Sequence, residues 1–156
     1  MDKYTWVDIG SSYLPSELIA AFLFAQLQSI NIITFKRKEA WDFYYKSFSE
    51  KLNTEKYTLT NIHEDKTHNA HIFYLMFPDS QIRDDILNEL NLINIKATFH
   101  YIPLHSSPFG ILNTRVSGRL TFTESCSSRI LRLPIWSDIK SHQEYICSHL
   151  FKILGI

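Results

Sequence analysis

Glycine is scarce in this chain of 156 residues, which carries only Gly10, Gly110, Gly118 and Gly155. Loops of the GxGxxG or Walker type need glycines clustered where backbone N–H groups close around a phosphate, so neither can be written here. Cysteine is scarcer still. Cys126 and Cys147 both fall in segments of helical spacing, which argues against a disulfide framework and for a reducing, cytoplasmic setting. An excess of one charge is also missing, because 16 Lys+Arg balance 16 Asp+Glu. Nucleic-acid binding by counterion release demands a basic excess, and that class is excluded. The longest apolar run, Leu18 to Ala25, stops far short of the ~20 residues that cross a bilayer. Met1-Asp2-Lys3-Tyr4 opens without the apolar core of a signal peptide.

What is present is apolar and aromatic, with 45% hydrophobic and 14% aromatic residues, enough for the packed core of one domain. Residues 1–14, with Gly10-Ser11-Ser12, read as an irregular lead-in. Pro15, Ser16 and Glu17 then open a helix that runs through Leu18, Phe22, Phe24 and Leu27 and is apolar nearly all round. Such a helix is expected to be buried on every side, by the core or by a partner. Trp41, Tyr44, Tyr45, Phe48 and Leu52 recur at helical spacing against a wet face of Lys36, Arg37, Lys38, Asp42 and Glu50. The polar stretch 53–69 holds a possible short strand at Tyr57 to Thr60.

His71 to Phe77 reads as a buried strand closed at Pro78-Asp79. Ile82, Ile86, Leu87, Leu90 and Ile93 form the stripe of a further helix, with Arg83, Asp84 and Asp85 off it. Lys96 to Ile102 is a second expected strand, and Leu104 to about Leu120 a long loop. Thr121-x-x-Glu124 and Ser141-x-x-Glu144 have the form of capping boxes. Each is expected to start a helix, the first burying Phe122, Cys126 and Ile130 and stopping at Pro134, the second burying Ile146, Leu150 and Leu154. The expected architecture is α+β, a small, mainly antiparallel sheet with helices packed against it.

Several constellations bear on chemistry. His63, His68 and His71 match no standard zinc spacing, which favours solvated loop histidines over a metal site. Cys126 and Cys147 read as small core residues rather than nucleophiles. The densest set, Phe99-His100-Tyr101-Ile102-Pro103-Leu104-His105-Ser106-Ser107-Pro108, gathers two histidines, a phenol and two serines where a strand meets a loop. That is equally a polar turn after core aromatics and a place where polar groups converge on a ligand. Gly10-Ser11-Ser12-Tyr13 either binds an anion ahead of the helix or merely caps it.

Taken in order, the segments Tyr4 to Tyr13, Ser16-Glu17-Leu18-x-Ala20-Ala21, Asn69-Ala70-His71-x-Phe73-Tyr74, Phe99 to His105, and Thr123-Glu124-Ser125 leading to Leu131-Arg132-Leu133-Pro134 are similar to the C-terminal part of DegT-type nucleotide-sugar aminotransferases. The resemblance spans nearly the whole chain. It implies the small domain of a type I pyridoxal-phosphate enzyme that works as a dimer on a sugar nucleotide, with glutamate as amino donor. It also implies that the Schiff-base lysine belongs to a large domain preceding these residues, so that this chain, as a fragment, binds no cofactor and is inactive alone. Tyr101 and His105, with His100 behind them, match the segment lining the sugar-nucleotide pocket. Ser12 stands where many members have an asparagine that reaches the cofactor phosphate of the partner subunit, and Leu14 where they have an arginine. Ser12 retains one hydrogen bond, whereas Leu14 cannot replace the charge. The alternative is a non-catalytic module that associates through the Leu18 to Leu27 helix.

Overall fold

The computed structural model describes Gly10 and residues 14–156. Ser11, Ser12 and Tyr13, and with them most of the lead-in, lie outside the described residues. Helix α1 (Glu17–Gln28) opens on Ser16, whose hydroxyl accepts from the Ile19 N–H at 3.4 Å. It bends by 68° at Ser29 into α2 (Ile30–Ser49). Of the two covers expected for α1, the core or a partner, the core is not the one: Leu18, Ile19, Phe22, Leu23, Phe24 and Leu27 are all exposed among the described residues. No single described helix is long and apolar enough to cross a membrane, although α1 and α2 together pass by length and composition.

Among the described residues four short strands form one sheet. They are β1 (Thr58–Leu59), β2 (Phe73–Met76), β3 (Thr98–Phe99) and β4 (Ile130–Leu133), in the order β1-β2-β4-β3 with every pair antiparallel. Leu75 and Phe99 both sit opposite Leu131, which fixes one face as apolar. On that face Phe73, Leu75, Leu131 and Leu133 are buried with Trp41, Tyr44 and Phe48 of α2, Leu90 of α3 (Ser80–Leu92), and Leu150 and Phe151 of α6 (Lys140–Leu154). Tyr74 lies opposite Arg132, and Arg132 opposite Thr98, so the second face carries a half-buried polar row.

Helix α3 has clear local causes. The Asp79 carboxylate accepts from the Ile82 N–H at 2.9 Å. At the other end Asn94, at φ 63°, ends the helix in a Schellman turn whose Ile95 N–H reaches the Leu90 carbonyl at 2.9 Å. Gly155, at φ 73°, ends α6 in the same manner.

Four sequence expectations are corrected. Neither capping box forms, because α5 (Thr121–Arg129) and α6 start one residue after Leu120 and Ile139, which make no side-chain cap. Phe122, Cys126 and Ile130 do not form a core stripe: α5 ends at Arg129, Phe122 is exposed, and Ile130 begins β4. The second strand is two residues long rather than seven, its continuation being taken up by the turn at Pro103. Finally, the expected loop after Leu104 holds a 3-10 turn (Leu104–Ser106) and α4 (Pro108–Asn113). Ser107 explains this corner, since its hydroxyl accepts from the Gly110 N–H at 3.0 Å and donates to the Leu104 carbonyl at 2.7 Å.

Burial shapes the acid–base behaviour of the α2/α6 seam. The Tyr44 hydroxyl donates to the Pro134 carbonyl at 3.0 Å, and burial raises its pKa strongly. Burial likewise pushes the Cys147 thiol up to about 11. An unfolded thiol ionises lower, so above its ordinary pKa the unfolded chain binds fewer protons than the folded one. The contribution is complete below pH ~9 and is lost as pH rises towards ~11. Urea midpoints should therefore fall across that window, and fall less in Cys147→Ala; a flat profile would contradict this account.

Candidate functional site

The segment from His100 to Ser107 leaves the edge strand β3, turns at Pro103 and crosses the first turns of α5. Two adjoining cavities flank it. One, about 310 Å³, lies against Arg83, Phe99, Tyr101, Ser106, Glu124 and Ser127. The other, about 440 Å³, is walled by Tyr101, Ile102, Leu104, Phe122, Cys126 and Ile130. Both walls are mainly apolar, the first with a few more polar groups, and such a mixture can orient a ligand.

Three of the four expected site residues, Tyr101, His105 and His100, lie among the described residues. Tyr101 is exposed and lines both cavities, with its ring 5.9 Å from that of His100. His105 is mostly buried and holds its Nε2 3.1 Å from Glu124 Oε1. His100 also borders both cavities, and its Nδ1 is buried without a hydrogen-bond partner. Burial, with the Arg132 guanidinium and His71 nearby, holds His100 below the usual histidine range. A neutral His100 is therefore the form present near neutral pH, able to donate or accept according to its tautomer. Ser12 lies outside the described residues.

Glu124 was hidden by its own spacing. As the fourth residue of Thr121-x-x-Glu124 it reads as a helix cap, yet α5 starts without that cap and the carboxylate turns to His105. Such a contact fixes the ring's orientation and makes Nε2 the protonated nitrogen. Arg83 was also missed. Off the apolar stripe of α3, it should be wet, but it is 8% exposed and lies 5.7 Å from the Phe99 ring.

The histidines considered for metal have other neighbours: His63 pairs with Asp65, His71 with Asn69 at 2.7 Å, and His68 packs edge-on against Trp41. Among the described residues no group of three His, Cys, Asp or Glu side chains is placed to hold a metal. Holding pyridoxal phosphate as a Schiff base requires a lysine amine. Neither cavity beside Tyr101 has a lysine in its wall, so this site does not fit that anchor.

This fold, a small antiparallel sheet covered by helices, is similar to part of several solved aminotransferases. The chain is similar to the aminotransferase TlmJ from Streptoalloteichus hindustanus, at 20% identity over 87% of this chain and 35% of that one, with a TM-score of 0.74. It is similar to Helicobacter pylori PseC, an aminotransferase involved in the biosynthesis of pseudoaminic acid, at 17% identity over 94% and 39%, TM-score 0.75. The ketimine complex of S. venezuelae DesV matches at 20% identity over 98% and 39%, TM-score 0.73. The chain thus spans under two fifths of the length of these structures. The model of the DegT/DnrJ/EryC1/StrS aminotransferase family matches residues 1–151, and the chain belongs to that family.

Proposed function

We propose that these 156 residues are the C-terminal small domain of a pyridoxal-phosphate-dependent aminotransferase acting on a 4-keto-6-deoxy sugar nucleotide. The reading is supported by one observation above the others: within a chain of this family, Tyr101 lines both adjoining cavities, and Glu124, in the wall of one of them, holds His105 beside them. In this role the chain forms the substrate-side wall. Tyr101 and the neutral His100 hydrogen-bond the sugar or its diphosphate, and Glu124 orients His105 to do the same. The particular enzyme proposed is dTDP-4-amino-4,6-dideoxygalactose transaminase, with glutamate as donor and a role in surface-polysaccharide synthesis. The lysine that anchors the cofactor is proposed to lie in a large domain, which leaves these residues without transaminase activity of their own. Titrating the labelled chain with dTDP-4-amino-4,6-dideoxygalactose should shift the amide signals of residues 100–106, and His105→Ala or Tyr101→Phe should weaken binding by roughly tenfold, the value of about one hydrogen bond. Absence of shifts there, or binding unchanged in both variants, would refute the assignment.

The exposed face of α1 favours a second role, association. Apolar patches of this kind drive protein contacts, and the partner proposed is another copy of the chain in a dimer. Light scattering should show a dimer that Phe22→Glu converts to monomer; a monomeric unmodified chain would dismiss this role.

A further inference from the structure

At the end of the sheet opposite the Tyr101 cavities, where β3 begins and β4 ends, lies a separate cavity of about 500 Å³. Its floor is aliphatic: Ile95 and Ile146 are buried there, and Ile93 and Pro134 half-buried. Its rim is aromatic, formed by Trp136, His142 and Tyr145. The walls are held from several sides. Asn94 turns at φ 63° and lets the Ile95 N–H reach the Leu90 carbonyl at 2.9 Å, while the Pro134 carbonyl accepts from the Tyr44 hydroxyl at 3.0 Å. On α6, Tyr145 and Ile146 follow His142 by three and four residues, so all three share one face.

Trp136 is 41% exposed and Tyr145 50%, and neither the indole N–H nor the phenol hydroxyl bonds to another described residue. Large aromatic side chains left open around an aliphatic hollow mark a binding surface. Charge then narrows the occupant. Lys96 supplies the only full charge in the wall, no carboxylate lines the cavity, and Lys96 forms no ion pair among the described residues. An unopposed ammonium beside open ring faces favours a flat apolar body that carries one negative group. The volume falls in the range of small-molecule pockets and exceeds what a lone ion requires.

We propose that this cavity is a second binding site, for a small molecule made of a planar aromatic ring and one anionic group. The ring lies over the isoleucines against Trp136 and Tyr145, in offset or edge-on contact, and Lys96 Nζ meets the anion. The site shares no residue with the Tyr101 cavities, so it stands or falls apart from the transamination reading.

The test is a titration of the isotope-labelled 156-residue chain with indole-3-acetate, which has both parts, and with indole and acetate, which have one each. Indole-3-acetate should shift the Trp136 Nε1–H signal and the amides of residues 93–96 and 142–146 to saturation, with a Kd on the order of 1 mM. Indole should bind roughly threefold more weakly for want of the charge pair, and acetate should leave the Trp136 signal in place. Lys96→Met should bring indole-3-acetate down to the level of indole. Trp136→Ala should weaken it by about tenfold, and Trp136→Phe should recover most of that loss. A Trp136 signal that does not move in the unmodified chain, affinity unchanged in Trp136→Ala, or equal binding of indole and indole-3-acetate would each overturn the proposal. Should Trp136→Ala fail to fold, the unmodified chain's Trp136 signal and Lys96→Met still decide it.

Discussion

Replacing Gly110 by alanine is expected to destabilise the protein by about 3 kcal/mol and to dismantle the site. Judged by helix propensity alone the change should help, since alanine is favoured over glycine inside a helix by about 1 kcal/mol. Geometry decides against it. A Cβ on Gly110 would stand 1.7 Å from the Leu104 carbonyl oxygen and 2.8 Å from its carbon, both backbone atoms. Relief requires the 3-10 turn to move by more than an ångström, which breaks the bonds from Ser107 to Leu104 and to Gly110. His105 lies inside that turn and would leave Glu124. Urea denaturation together with the His105 imidazole signal measures both effects. Gly118→Ala is the control, because at φ +74° it costs only the ~1 kcal/mol of a left-handed residue and meets nothing within 4 Å. Equal stability of Gly110→Ala and the unmodified chain would show that the corner yields without cost.

Phe73→Ala should cost still more, roughly 3–5 kcal/mol, a large part of the 5–15 kcal/mol by which domains are stable. Its fully buried ring lies 5.6 Å from Trp41, 5.2 Å from Tyr44 and 5.9 Å from Phe48, so its removal leaves a void at the junction of β2 with α2. Rigid aromatic neighbours collapse poorly into such a space. Thermal unfolding should move down by on the order of 10 °C, while Phe73→Leu should recover most of the loss. A shift of only a degree or two would mean that the void refills.

The periodic helices α2, α3 and α6 were legible in the sequence because burial on one face imposes a repeat that propensity and polarity both echo. Strand β1, β2 and the α+β architecture were legible for similar reasons. Strand β4 was not. Its four residues follow a stretch in which Phe122, Cys126 and Ile130 keep helical spacing, and nothing local marks where one period yields to another. The site was half legible. Tyr101, His105 and His100 stood out as a polar cluster at a strand end, whereas Glu124 meets His105 from 19 residues away and the burial of Arg83 is not signalled by its spacing on α3.

The strand order has a further consequence for synthesis. Strand β4 lies between β2 and β3 yet is the last of the four to be made. Until Leu133 has left the ribosome, β3 has no strand beside it, and β2 pairs only with the two-residue β1. The nascent chain must therefore carry the exposed α1 and an unclosed sheet until β4 is made. Chaperone demand should thus persist until β4 emerges, and a stalled or truncated product ending before β4 should aggregate rather than fold.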